Sequence, residues 1–318
     1  MGGLTERLIA QVPEHLDGER ADRVVAELAT VSRSVARRLV EEGEALFNGA
    51  ELEPKERVAA GTLVDTSVPE PSTLAAEPVP FDVVYEEADF AVIDKPAGLV
   101  VHPGAGIQTG TLAAGIIHRW PDVEGVGEAG RWGIVHRLDK ETSGLLAVAK
   151  TAKGFDWLRR DIQAGAVGRI YLALVEGTLS IETGAIDAPI GRDEQNPVRF
   201  RVAAGGRPAM THYRRLAGWE DVSLLEVQLE TGRTHQIRVH LSSINHPVVG
   251  DGLYGASSPR GDPGRVWLHA SRLKLPTEPK ELVVESALPP DLVHSLDGLG
   301  APTVGTVPQS GSRLGGEN

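Results

Sequence analysis

Cysteine is absent from the 318 residues. Disulfides, cysteine-ligated zinc, iron–sulfur clusters and thiol catalysis are excluded with it. Long apolar runs are also missing: none approaches the roughly 18 residues that a membrane-spanning helix needs. The first residues, MGGLTERLIAQVPEHLDGER, have no basic stretch followed by an apolar one, as a secretory signal would. Met1-Gly2 does not continue into a myristoylation pattern, because Glu6 stands where Ser or Thr is required. A cytoplasmic protein that makes no membrane association is expected. Positive charge is short as well, with 32 Lys and Arg against 44 Asp and Glu, a net of −12. Taken as a sum, that balance argues against a nucleic-acid partner.

What is present is an ordinary soluble composition, 41% hydrophobic and 24% charged. The length suits about two domains with ample apolar material for a core. The charge has a layout that its sum hides. Residues 41–94 hold 14 acids and only two bases, Lys55 and Arg57, so the rest of the chain is neutral. Within that remainder, 131–160 has seven bases against three acids, and 199–240 has seven against four. Of the 32 bases 25 are Arg, the side chain suited to bidentate contact with phosphate.

After an N-terminal segment (1–16), residues 17–69 read as a small unit of two helices and a short sheet. Ala21–Leu28 is one helix, and Ser32 can cap a second that runs to Glu41. Val35, Leu39 and Val40 fall on one face of it, while Arg33, Arg37 and Arg38 take the others. Gly43 can close that helix, and Asn48-Gly49 predicts a type I′ hairpin between 45–47 and 50–52. Leu63–Val68 is a further strand. Residues 70–82, rich in proline, read as a stiff linker, and the glycine-rich 297–318 as a disordered tail. Between them, 83–296 is rich in strands, with helices sharing the faces Phe155/Leu158/Ile162 and Ile237/Leu241/Ile244. Most connections lack the helices of βαβ units, so an α+β fold with a mixed, mainly antiparallel central sheet and flanking helices is expected.

Gly125–Gly130 matches the GxGxxG spacing of a dinucleotide loop. It neither follows a strand nor opens a helix, so it reads as a plain loop. The ten His are scattered, and His235 and His240 are not spaced to share a metal. Neither a nicotinamide cofactor nor a catalytic metal is supported. The informative stretch is HRLDKETSG at 136–144, leading into an apolar strand. An acid among bases in such a loop, Asp139, is a candidate nucleophile or base, because nearby positive charge keeps a carboxylate ionised. It could equally be a turn-capping Asp. In GRIYLALVEG at 168–177, Tyr171 shares a strand face with Arg169 and is either a platform for a base or a half-buried strand residue. In TGRTHQIRVH at 231–240, Arg233 stands where a strand gives way to a helix, with Thr234 as the expected cap. That junction suits anion binding or the holding of an internal carboxylate.

These three strings in this order, with IDKPAGLVVHP at 93–103, closely resemble the RluA-type family of RNA pseudouridine synthases. Residues 17–69 resemble the S4 RNA-binding domain that precedes the catalytic domain in many members. Arg20-Ala-Asp22 and Gly61-Thr62 depart from the usual S4 pattern of Arg-Leu-Asp and Gly-Asp. The resemblance implies a pseudouridine synthase fold and isomerisation of uridine in RNA: the glycosidic bond breaks, the uracil turns, and C5 bonds to C1′. That reaction requires neither cofactor nor metal. An oxocarbenium-like state calls for a nearby carboxylate. Asp139 matches the family's catalytic Asp, able to attack C1′, to attack the ring, or to take a ribose proton. The resemblance further implies that Arg233 pairs with Asp139, that Tyr171 packs on the uracil and assists loss of the C5 proton, and that Arg137 fills the place of the extruded base. His136 in the same loop, and Arg33, Arg37 and Arg38 on the S4-like helix, are expected to contact RNA, the latter through phosphates. The implied substrate is large-subunit (23S) ribosomal RNA or its precursor, with a monomer and no obligate protein partner. The competing readings are the same chemistry on tRNA, a non-catalytic S4-type RNA-binding protein, and a carboxylate-dependent glycosidase, which would want a second acid that is not apparent.

Overall fold

The computed structural model describes residues 6–31, 33–68, 74–104, 106–127, 130–196, 198–255 and 260–308. The chain divides into two compact units, 1–75 together with 124–132, and 76–123 together with 133–318. The first unit thus includes a segment that a contiguous division of the sequence leaves out.

In the first unit, the strands Glu6–Gln11, Leu63–Val68 and Ala45–Phe47 form an antiparallel sheet in that order. The helices Ala21–Leu28 and Arg33–Glu41 bury Val24, Val25, Ala36, Leu39 and Val40 with Phe47 and Val64 in one core. Gly43, at φ 71°, ends the second helix with its amide on Val40 O at 3.2 Å. Asn48 and Gly49 both take positive φ, as a type I′ turn requires, and Phe47 and Ala50 exchange both backbone bonds. The expected second hairpin strand does not follow. Glu53 gives its amide to the Glu56 side chain and Pro54 has none, so Ala45–Phe47 pairs instead along Leu63–Val68. Ser32, expected to cap the second helix, lies outside the described residues, as does the Arg33 side chain.

The second unit is built on a ten-stranded sheet. Its spatial order is Thr183–Asp187, Met210–Gly218, Val222–Leu229, Gly168–Glu176, Leu268–Leu275, Ser143–Ala149, Phe90–Lys95 and Asp82–Glu86. Leu282–Glu285 pairs with Leu268–Leu275, and Val304–Gly305 with Met210–Gly218. Every pairing is antiparallel except that of Leu268–Leu275 with Ser143–Ala149. The sheet is the mixed, mainly antiparallel one expected. Its centre is buried: Ser143–Ala149 along its whole length, and Gly168–Glu176 at all but its ends. Thr151 caps the Ala152–Gln163 helix by accepting from Gly154 N at 3.1 Å, and Phe155 and Leu158 face the core.

Two stretches are better ordered than their composition suggests. Within 70–82, Glu77 donates its amide to Ala114 O at 3.2 Å and accepts from Gly110 N at 2.7 Å. Phe81 packs its ring 6.1 Å from that of Trp120, so this part is packed against the Leu112–Arg119 helix rather than free. Past Asp297 the chain continues as structure to residue 308. Leu299 is buried, Trp219 Nε1 donates to Gly300 O at 2.9 Å, and Val304–Gly305 extends the sheet. Glycine does not prevent this pairing, because a sheet edge needs only backbone donors and acceptors.

Candidate active site

The 136–144 loop is held from four directions. The buried Lys95 ammonium donates to Pro96 O, Leu99 O and Lys140 O at 2.8, 3.0 and 3.1 Å. Burial lowers its pKa to about 8. His136 accepts the Ala147 amide on Nε2 at 2.9 Å, so its proton is on Nδ1. Burial and the nearby Arg169 charge lower the ring's pKa to about 3, which keeps it neutral. Arg265 donates to Glu141 O at 3.1 Å, and Thr142 N to Asp139 O at 3.1 Å. Gly144 sits at φ 111°, where a Cβ would stand 2.3 Å from Ala270 O, so the loop can enter the parallel strand pair only through glycine.

Held this way, Asp139 presents a carboxylate whose side chain is 18% exposed. Its partner is Arg238, whose Nη1 donates to Oδ2 at 3.1 Å. Arg238 is itself clamped: Nε and Nη2 donate to Asp251 Oδ2 and Oδ1 at 2.7 and 2.9 Å. The Asp251 carboxylate is fully buried and also accepts the Leu253 and Tyr254 amides. The Tyr254 ring lies 5.1 Å below the Arg238 guanidinium. Together the two carboxylates raise the Arg238 pKa against the opposing effect of burial, so the guanidinium is permanently charged.

Beyond the other carboxylate oxygen stands His235, its Nε2 4.0 Å from Asp139 Oδ1. Phe200 N donates to Tyr254 Oη at 2.9 Å, which leaves the phenol proton for His235 Nδ1, also at 2.9 Å. The imidazole therefore carries its hydrogen on Nε2, facing Asp139. Burial lowers the His235 pKa and outweighs the pull of Asp139. His235 occupies the left-handed region at φ 55° and stands at the N-cap of the Gln236–Ser243 helix, where Thr234 was expected. Gln236 secures the turn by accepting from Arg233 N at 2.9 Å and Thr231 Oγ1 at 2.8 Å.

Tyr171 is buried, with Arg169 and Asp139 both acting on it. Burial pushes its phenol up to about 12, so it is protonated at neutral pH. Arg137 is exposed and near enough to His235 for its charge to lower that ring's pKa. The expected pairing of Arg233 with Asp139 is not formed. Arg233 Nε donates to Pro208 O at 2.9 Å, and the charges that reach it are those of Arg207 and Arg169. The helix start explains the exchange: Arg233 lies before the left-handed turn at His235, whereas Arg238 projects from the first turn after it. His136 also differs from expectation, since its accepting nitrogen holds the loop rather than an RNA. In the first unit, Arg37 pairs with Glu41 at 2.7 Å and Arg38 approaches Glu42 at 4.0 Å, so that arginine face is balanced by acids on its own helix.

Arg238, Asp251 and Tyr254 were not singled out in the sequence, and His235 was weighed there only as a metal ligand. Arg238 lies inside a quoted motif and could have been weighed against Arg233. Asp251 and Tyr254 carry no periodic or spacing signal. Among the described residues no three His, Asp or Glu side chains gather as a metal ion would need.

The family model described as RNA pseudouridylate synthase matches residues 89–243, which hold the loop, Tyr171 and Arg238. A ribosomal large subunit pseudouridine synthase D of Yersinia pestis is 40% identical over 316 residues, covering 93% of this chain and 96% of the relative. An uncharacterized RNA pseudouridine synthase of Chloroflexus aurantiacus is 46% identical over 273 residues, 85% of this chain and 86% of its own. The solved structure of human RNA pseudouridylate synthase domain containing 1 superimposes with a TM-score of 0.57 at 30% identity. It covers 74% of this chain and 93% of that one. The chain belongs to the RNA pseudouridine synthases, isomerases that convert uridine to pseudouridine in RNA.

Proposed function

We propose that this enzyme modifies uridine in large-subunit (23S) ribosomal RNA, in the cytoplasm where that RNA is processed, with Asp139 as the carboxylate that acts on the nucleoside. The observation that carries the site is the partly exposed Asp139 carboxylate, oriented by a charged Arg238 that Asp251 clamps. A carboxylate so placed can work on the glycosidic bond while Arg238 balances its charge through each step. Tyr171 packs against the uracil. Its phenol is held protonated, which favours this stacking role over that of a ready base for the C5 proton. Arg137 is exposed beside the site and suits the gap left when the target base leaves its stack.

The rRNA assignment is supported by the named activity of the Yersinia pestis relative and by the S4-like reading of 17–69, in which Arg37 and Arg38 exchange Glu41 and Glu42 for RNA phosphates. Pseudouridine mapping of total RNA from cells lacking the protein tests it. Loss of sites in large-subunit rRNA is expected. Loss confined to tRNA would overturn the rRNA assignment while leaving the chemistry intact.

A further inference from the structure

Arg169 is a buried cation without an acid. It is 5% exposed, and its Nη2 donates to Glu230 O at 3.0 Å. Its Nε has no hydrogen-bond partner. A buried, unpartnered guanidinium nitrogen costs desolvation that nothing in the free protein offsets. The guanidinium fits because residue 232 is glycine: a Cβ there would stand 2.8 Å from Arg169 Nη1. Two further arginines gather at the same segment. Arg233 follows Gly232 directly and is tied to Pro208 O, and Arg207 is the exposed neighbour of Pro208. Among the described residues no carboxylate forms an ion pair with any of the three. Glu230, the nearest acid in sequence, turns its carboxylate to His212 at 2.6 Å. Burial lowers the Arg233 pKa, and the charges of Arg207 and Arg169 lower it further. Tyr171, two residues along the strand from Arg169, is near enough to feel the charges of both Arg169 and Asp139.

We infer that Arg169, Arg207 and Arg233 form a phosphate-binding site that takes a backbone phosphate of the RNA next to the uridine under modification. Phosphate supplies what the cluster lacks: negative charge, and several acceptor oxygens that planar guanidinium forks match. The site rests on the RNA-modifying reading and extends it, because it places the strand in register with Asp139 through contacts that carry no sequence information. It also gives Arg233 a role after its expected partner has gone to Arg238.

The test measures binding of a short fluorescein-labelled, uridine-containing single-stranded RNA to the full chain by anisotropy across a salt series. Wild type, Arg207→Gln, Arg207→Gln/Arg233→Gln and Arg214→Gln are compared. Arg207 is exposed and its side chain makes no hydrogen bond among the described residues; its two backbone bonds to Ile190 are kept by glutamine, so the substitution leaves the fold intact. Arg214 is an exposed arginine paired with Glu226 at 2.9 Å and serves as the control for loss of charge alone. The expected result is weaker binding with a log K against log salt slope shallower by about 0.7 for each lost contact, and no change for Arg214→Gln. A double-variant slope equal to wild type overturns the site, as does equal flattening by Arg214→Gln. Tritium release from C5-labelled large-subunit rRNA by wild type is read in parallel. Release with unchanged slopes removes the phosphate site alone, whereas absence of release removes the rRNA reading whatever the slopes show.

Discussion

Arg238 gives two nitrogens to Asp251 and one to Asp139, so a carboxylate buried in the protein aims the guanidinium that meets the partly exposed one. The division follows from geometry: the bidentate fork fixes the guanidinium plane, and the remaining Nη1 can then point only toward the loop. Asp139 therefore meets a donor already in place, and no part of the pair has to reorganise as charge develops.

Asp139→Asn is expected to lower tritium release from C5-labelled RNA by on the order of 10⁴-fold, with RNA binding largely kept. The measure is single-turnover release beside anisotropy on the same preparation. Turnover close to wild type would remove Asp139 from the chemistry.

Arg238→Met and Arg233→Met should part company. Removing Arg238 leaves the buried Asp251 carboxylate without its partner, at a cost of about 3–5 kcal/mol in stability, and leaves Asp139 unoriented. Removing Arg233 forfeits one hydrogen bond to Pro208 O, worth about 1–2 kcal/mol. Urea denaturation of both variants tests this, and equal losses would show that the clamp on Arg238 contributes little.

His136 makes the fold acid-sensitive in a defined window. Its pKa in the folded chain is about 3, below the ordinary 6.5. Between those values the unfolded ring binds a proton that the folded ring refuses. The stabilisation is therefore complete above pH 6.5 and is lost as the pH falls toward 3. The slope is about 1.4 kcal/mol per pH unit for one proton. Denaturant midpoints should fall less steeply on acidification in His136→Gln than in wild type, and parallel curves would contradict this account.

Truncation after Asp297 should destabilise the second unit by about 2–4 kcal/mol, since Leu299 leaves its buried site and Trp219 loses Gly300 O. The check is the change in denaturant midpoint. An unchanged midpoint would mean that the pairing of 304–305 with the sheet adds nothing to stability.

The sequence by itself determined the fold class and the reaction, and it pointed to the carboxylate proposed for it. These were legible because the strand alternation in 168–176 and 222–229 is local, and because HRLDKETSG and GRTHQIRVH are long, specific strings. The charge layout showed in the same way that a net −12 does not forbid RNA. Tertiary structure alone decided which arginine meets Asp139. That contact joins residues 99 positions apart, and it turns on a left-handed residue at the helix start that no propensity announces. The same holds for Asp251, which is visible only once the loop after the helix folds back beneath Arg238. It holds too for Arg169 and Arg233, far apart in the chain, which come to one segment where Gly232 leaves room for the Arg169 guanidinium.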